Sequence, residues 1–175
     1  MKKIVVLILL GLITAGCQQQ KEEPKAKFQY PAGPVQAQDT LRLAREAVKA
    51  DPKNAKAWVE MGNILMDTSR FSEAVEAYEK ALEIDPKNVD VRVDMGTCFR
   101  NSGRPDLAVK EFRKALEINP GHAIGHLNLG VTLAHDLGDK AQAVKEFEKY
   151  LQLAPHAENA EQIRQEIRNL KGSRP

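Results

Sequence analysis

Apolar side chains return at helical spacing along most of the chain, and the breaks between the helical stretches are as regular as the stretches. In "DTLRLAREAVKAD", Leu41, Ala44, Ala47 and Val48 fall on one face of a helix. Near the C-terminus Ala160, Ile163, Ile167 and Leu170 form a stripe at spacings of three, four and three, with Glu, Gln and Arg elsewhere. That stripe is too narrow for a helix buried on two sides and suits a terminal cap. Between these two segments Pro52, Pro86, Pro120 and Pro155 lie 34, 34 and 35 residues apart, and the chain from one proline to the next reads as helix, short turn, helix. The phrase "DPKN" at 51–54 returns at 85–88, with "NPGH" and "APHA" in the same place later. Proline lacks an N–H and disfavours helix at the residue before it, so each phrase ends one hairpin and starts the next. The period predicts an all-α stack of eight helices.

Aligning on the prolines gives units 55–88, 89–122 and 123–157, the third with one extra residue near "AHDLGD". A half unit at 37–54 precedes them and a capping helix at 158–171 follows, with 172–175 as a tail. Glycines fall mid-helix at Gly62, Gly96 and Gly130. A glycine there costs about 1 kcal/mol relative to alanine, so a close approach of the second helix is the expected compensation, with Ala74, Ala108 and Ala143 facing the glycines. Tyr78, Phe112 and Phe147 are the large side chains expected to fill the space between hairpins.

These units resemble the tetratricopeptide repeat (TPR) family, whose pattern sets Trp, Leu, Gly, Tyr, Ala, Phe, Ala and Pro at fixed offsets. The first unit supplies Trp58, Met61, Gly62, Leu65, Ala74, Tyr78, Ala81 and Pro86. The second supplies Arg92, Met95, Gly96, Phe99, Ala108, Phe112, Ala115 and Pro120, departing at the Trp position. The third supplies His126, Leu129, Gly130, Leu133, Ala143, Phe147, Tyr150 and Pro155, departing at the Trp position and at the second Ala. The resemblance implies a TPR α-solenoid of three repeats, a half repeat and a cap. The sequence has no Ser, His and Asp set at a recognisable motif, no glycine-rich phosphate loop and no paired Cys for zinc, so neither catalysis nor a cofactor is expected.

The opening "MKKIVVLILLGLITAGC" has a positive start at Lys2 and Lys3, then the apolar run Ile4 to Ile13. Ten helical residues rise about 15 Å, half of a hydrocarbon core of about 30 Å, so the run suits an export signal and not a membrane span. "TAGC" resembles the lipobox of bacterial lipoproteins, although Thr14 stands where Leu is usual. The resemblance implies a signal peptide at 1–16, cleavage after Gly16 and lipid on Cys17, which anchors the chain to a membrane. Gln18 stands in place of the Asp that retains many such proteins at the inner membrane, which implies the outer membrane facing the periplasm of a bacterial cell envelope. Residues 17–36, rich in Gln, Lys, Glu and Pro, read as a tether.

Charge then changes the choice of partner. The precursor has 26 basic and 24 acidic residues; loss of Lys2 and Lys3 with the signal leaves 24 of each. A neutral chain gives no reason to expect a nucleic-acid partner, which would want a basic patch. Lipidation of Cys17 would leave Cys98 alone, inside a helical apolar pattern, where a small buried side chain is expected.

In the TPR family the first helices of successive hairpins line a concave groove for a peptide or a partner helix. The resemblance carries that role to Val59, Asn63 and Met66, to Val93, Asp94, Thr97 and Arg100, and to Leu127, Asn128 and Val131. Asn63 and Asn128 are candidates for holding a ligand's backbone, and Val59, Val93 and Leu127 for an apolar strip. The carboxylate clamp of chaperone-binding relatives is missing, because its positions are Val59, Asn63, Asp94, Ile124 and Asn128. The expected function is a membrane-anchored protein-interaction scaffold with a protein or peptide partner in the envelope. Known lipoproteins of this kind serve pilus assembly, outer-membrane protein insertion, cell-wall enzyme scaffolding or cytochrome maturation. The alternatives are self-assembly, or a small-ligand or metal site using His122, His126 and His135; no metal site is assigned.

Overall fold

A computed structural model describes residues 34–172. The export signal, Cys17 and all of the tether before Pro34 lie outside the described residues, as do residues 173–175. Eight helices follow one another: α1 (Pro34–Ala50), α2 (Ala55–Asp67), α3 (Phe71–Ile84), α4 (Val89–Asn101), α5 (Pro105–Ile118), α6 (Ala123–Val131), α7 (Lys140–Leu153) and α8 (Ala160–Gly172). The closest pairings are α2 with α3, α4 with α5 and α6 with α7, and each hairpin stacks on the next through α3 with α4 and α5 with α6. The molecule is an all-α TPR solenoid, with α1 against α2 at one end and α8 against α7 at the other.

The repeated corner phrase does more than stop a helix. Asp51 Oδ1 accepts from Lys53 N at 3.2 Å, Asp85 Oδ1 from Lys87 N at 3.3 Å and Asn119 Oδ1 from Gly121 N at 3.0 Å, side-chain turns that shape the corner. The last residue of the phrase then caps the next helix. Asn54 and Asn88 accept from Ala57 N and Val91 N, both at 3.2 Å, and His122 Nδ1 does so from Gly125 N at 2.9 Å.

Inside each hairpin one ring lies over one glycine. A Cβ on Gly62 would stand 2.5 Å from Tyr78 Cε1, one on Gly96 2.6 Å from Phe112 Cε1, and one on Gly130 2.7 Å from Phe147 Cδ1. The rings, and not Ala74, Ala108 and Ala143, therefore make the closest approach, and they fill their own hairpin before they fill the gap to the next. The three alanines are fully buried beside them.

Two expectations need correction. α1 starts at Pro34, inside the segment read as tether; proline at the first helical position loses no hydrogen bond. Ala47 is exposed although Leu41, Ala44 and Val48 are buried, because among the described residues α1 packs mainly on α2, whereas the equivalent Ala81 and Ala115 lie between two helices. The extra residue of the third repeat lies where "AHDLGD" placed it, and it is taken up within the helix. α6 runs on as a π-helical turn, Thr132–Asp136, closed by Leu137 N to Thr132 O at 3.2 Å, and leaves the turn at 137–139 as short as those at 68–70 and 102–104.

Tyr150 explains the departure at the second Ala. Where Ala81 and Ala115 admit the next repeat's first helix, Tyr150 is buried and its hydroxyl donates to Asn159 just before α8. Cys98 is free and fully buried, and burial together with Asp94 pushes its thiol up to about 12, which keeps it protonated and inert.

Candidate partner-binding groove

The inner surface is built by α2, α4 and α6, and polar contacts tie α4 to α6 and its π turn. Asn128 Nδ2 donates to Thr97 Oγ1 at 3.3 Å, and Thr97 Oγ1 donates to Val93 O at 3.1 Å. His122 Nε2 lies 2.9 Å from Asp90 Oδ1, and Arg100 pairs with Asp136, the last residue of the π turn. Asp67, Asp90 and Asp94 share the same field. Burial, then Asp90, raises the Asp94 carboxyl from 3.8 to about 6, with Asp67 adding to the rise and His122 opposing it.

These bonds alter the roles read from the sequence. Asn63 Oδ1 accepts from the Tyr78 hydroxyl at 2.7 Å, so its oxygen is already engaged; Met66 Sδ lies 3.9 Å from the same hydroxyl. Asn128 and Arg100 are likewise committed within the protein. Val93 is only 3% exposed and cannot join Val59 and Leu127 in an apolar strip, since α4 is flanked on both sides by other hairpins. What remains open is a different set. Ile124 is 50% exposed, Lys56, Asp67, Asp90 and Asn101 are exposed, and Val59, Met66, Leu127 and Val131 are partly exposed.

The histidines do not converge. His122 uses Nδ1 to cap α6 and Nε2 toward Asp90. His126 lies 2.7 Å from Glu146 through Nδ1 and 3.0 Å from Pro120 O through Nε2. His135 stands 3.7 Å from Glu166. Among the described residues no group of three or more His, Cys, Asp or Glu is placed to hold a metal, and no helix is long and apolar enough to cross a membrane.

Residues 17–157 match the family described as the cytochrome c-type biogenesis protein H TPR domain. The chain belongs to this TPR family. None of the curated proteins matches it. Among solved structures, "Crystal structure of MamA protein" superposes with a TM-score of 0.70 at 21% identity, over 79% of this chain and 75% of that one. A second, "Crystal structure of MamA", gives 0.69 at 20% identity, over 78% and 82%. At such identities the likeness shows the fold alone. Family and fold together make this TPR domain a protein-interaction scaffold.

Proposed function

We propose that the protein is a non-catalytic scaffold, anchored by lipid on Cys17 in the bacterial cell envelope, on the outer membrane facing the periplasm. Its groove holds a segment of an envelope protein during cytochrome c-type biogenesis. The observation that carries the binding reading is a pair of open apolar patches on the inner helices, Val59 and Met66 on α2 and Ile124, Leu127 and Val131 on α6, on either side of the polar face of α4. The cytochrome role is supported by the name of the matching family. The anchor is supported by the apolar run, the small residues of "TAGC" and Cys17 itself. A short groove of three hairpins suits micromolar binding, about 8 kcal/mol.

Photo-crosslinking in cells tests the binding reading, with the probe at Lys56, Asn101 or Ile124 and at Lys145 on a second helix as control. Capture of an envelope protein involved in cytochrome assembly from the groove positions, and not from Lys145, is the expected result. Capture of this chain alone, or no difference from the control, would sink it. For the anchor, Cys17→Ser is expected to move the protein from the membrane to the soluble fraction; retention on the membrane would refute lipidation.

A further inference from the structure

The second helices form another surface, away from the inner groove. Between α5 and the π turn with α7 lies a cleft of about 730 Å³, where Val109, Leu133 and Leu137 are apolar lining and Lys110, Arg113 and Lys114 stand along the α5 wall. Its counterpart one repeat earlier, between α3 and α5, measures about 470 Å³. Two differences separate them. Glu76 and Glu79 occupy the places of Lys110 and Arg113 in the smaller cleft, so the wall has changed sign. The π turn also brings Leu137, 39% exposed, into the larger cleft, where the earlier turn has Ser102.

The cations of this wall are incompletely answered. Lys114 pairs with Glu111 at 2.7 Å, whereas among the described residues the Arg113 guanidinium has no ion pair and donates to the neutral amide oxygen of Gln142, also at 2.7 Å. Among the described residues Lys110 has no ion pair and is exposed. The acids that share the cleft are differently placed. Asp139 is spent capping α7 at Gln142 N, and Asp106 lies in the first turn of α5, where the helix dipole favours a negative charge. Glu117 stands one turn beyond Arg113 on α5. A carboxylate from outside would give Arg113 and Lys110 charge-assisted bonds roughly twice as strong as neutral ones.

We propose that this cleft is a second docking surface, taking an acidic segment of a partner protein. Its carboxylates bind Lys110 and Arg113 while an aliphatic side chain rests on Leu137. The volume accommodates a few side chains, within the range of roughly 300–1,000 Å³ usual for ligand clefts.

The test is fluorescence anisotropy with the full chain and a labelled peptide of alternating Glu and Leu. The variant Lys110→Glu with Arg113→Glu installs the side chains that the first repeat carries at those positions, so the fold has a precedent for them. The double variant is expected to weaken binding about tenfold or more. Lys145→Glu with Lys149→Glu, an equal change in net charge elsewhere, is expected to leave it unchanged. Equal binding by the Lys110 and Arg113 variant, an equal loss in the charge control, or no binding by the native chain at roughly millimolar peptide would each overturn the proposal.

Discussion

Trp58 donates its indole N–H to the carbonyl of Pro52 at 3.0 Å, and two different side chains repeat that bond one and two hairpins later. Arg92 donates to Pro86 O and His126 Nε2 to Pro120 O, both at 3.0 Å and both across six residues. The corner carbonyl has lost its helical partner, so a donor at this position satisfies it whatever the side chain. The departures from Trp are therefore substitutions of donor for donor. They come with a second change on the next helix: Glu111 pairs with Arg92 at 2.9 Å and Glu146 with His126 at 2.7 Å, where the first repeat has Ala77.

Glu111→Ala is expected to destabilise by about 3 kcal/mol, because Arg92, 14% exposed, loses its buried charge partner. The double change Arg92→Trp with Glu111→Ala installs the first repeat's combination and is expected to recover to within about 1 kcal/mol of the native chain, as coupled neighbours do. Urea unfolding midpoints decide it. A double variant no more stable than Glu111→Ala alone would show that the pairs are independent.

Gly96→Ala tests the ring contacts. Alanine gains about 1 kcal/mol of helix propensity, but its Cβ would stand 2.6 Å from the Phe112 ring, and overpacking of a tight core costs about 1–3 kcal/mol. A net loss is expected in thermal unfolding, and Phe112→Leu in the same chain is expected to relieve part of the strain. If Gly96→Ala raises the melting temperature, the ring is not fixed against the glycine.

Much of this architecture was legible because each cue repeats. Prolines 34 and 35 residues apart mark the corners whatever happens between them, and Gly62, Gly96 and Gly130 announce a close approach. Which side chain makes the approach depends on rotamers, which spacing does not carry, so the alanines were expected where the rings lie. Val93 holds the same offset as Val59 and Leu127, and only the hairpins on both sides of α4 bury it. The loss of Asn63 to the core did have a signal. Tyr78 carries a hydroxyl where Phe112 and Phe147 have none, and Asn63 stands where the later repeats have Thr97 and Val131. A buried phenol needs an acceptor, and the only repeat with the phenol also has the amide. The cleft on the second helices had no such cue, since the extra residue near "AHDLGD" marked a place in the chain but not the π turn that takes it up beside the cleft.

Ser69→Gly is expected to stabilise. Ser69 has φ of 59° in the turn where the other repeats place Gly103 at 75° and Gly138 at 69°. A left-handed conformation costs a non-glycine residue about 1 kcal/mol, partly offset by the greater freedom of glycine in the unfolded chain, so a net gain of about 0.5 kcal/mol should appear as a higher melting temperature. No change, or a loss, would mean that the serine is unstrained.

Asp94 makes stability depend on pH in a direction opposite to that of a salt-bridged carboxylate. Its carboxyl is raised from 3.8 to about 6, first by burial and then by Asp90, with a smaller push from Asp67 and an opposing pull from His122. Between those values the folded chain holds a proton that the unfolded chain has released, so the contribution of Asp94 to stability falls as pH rises through this window. Below it both states are protonated and the penalty vanishes. Asp94→Asn keeps the shape without the charge. It is therefore expected to raise the melting temperature at about pH 7.5 and to leave it nearly unchanged at about pH 4. Thermal unfolding at the two values separates this from a simple packing gain, which would appear equally at both and would remove the electrostatic account of the inner face.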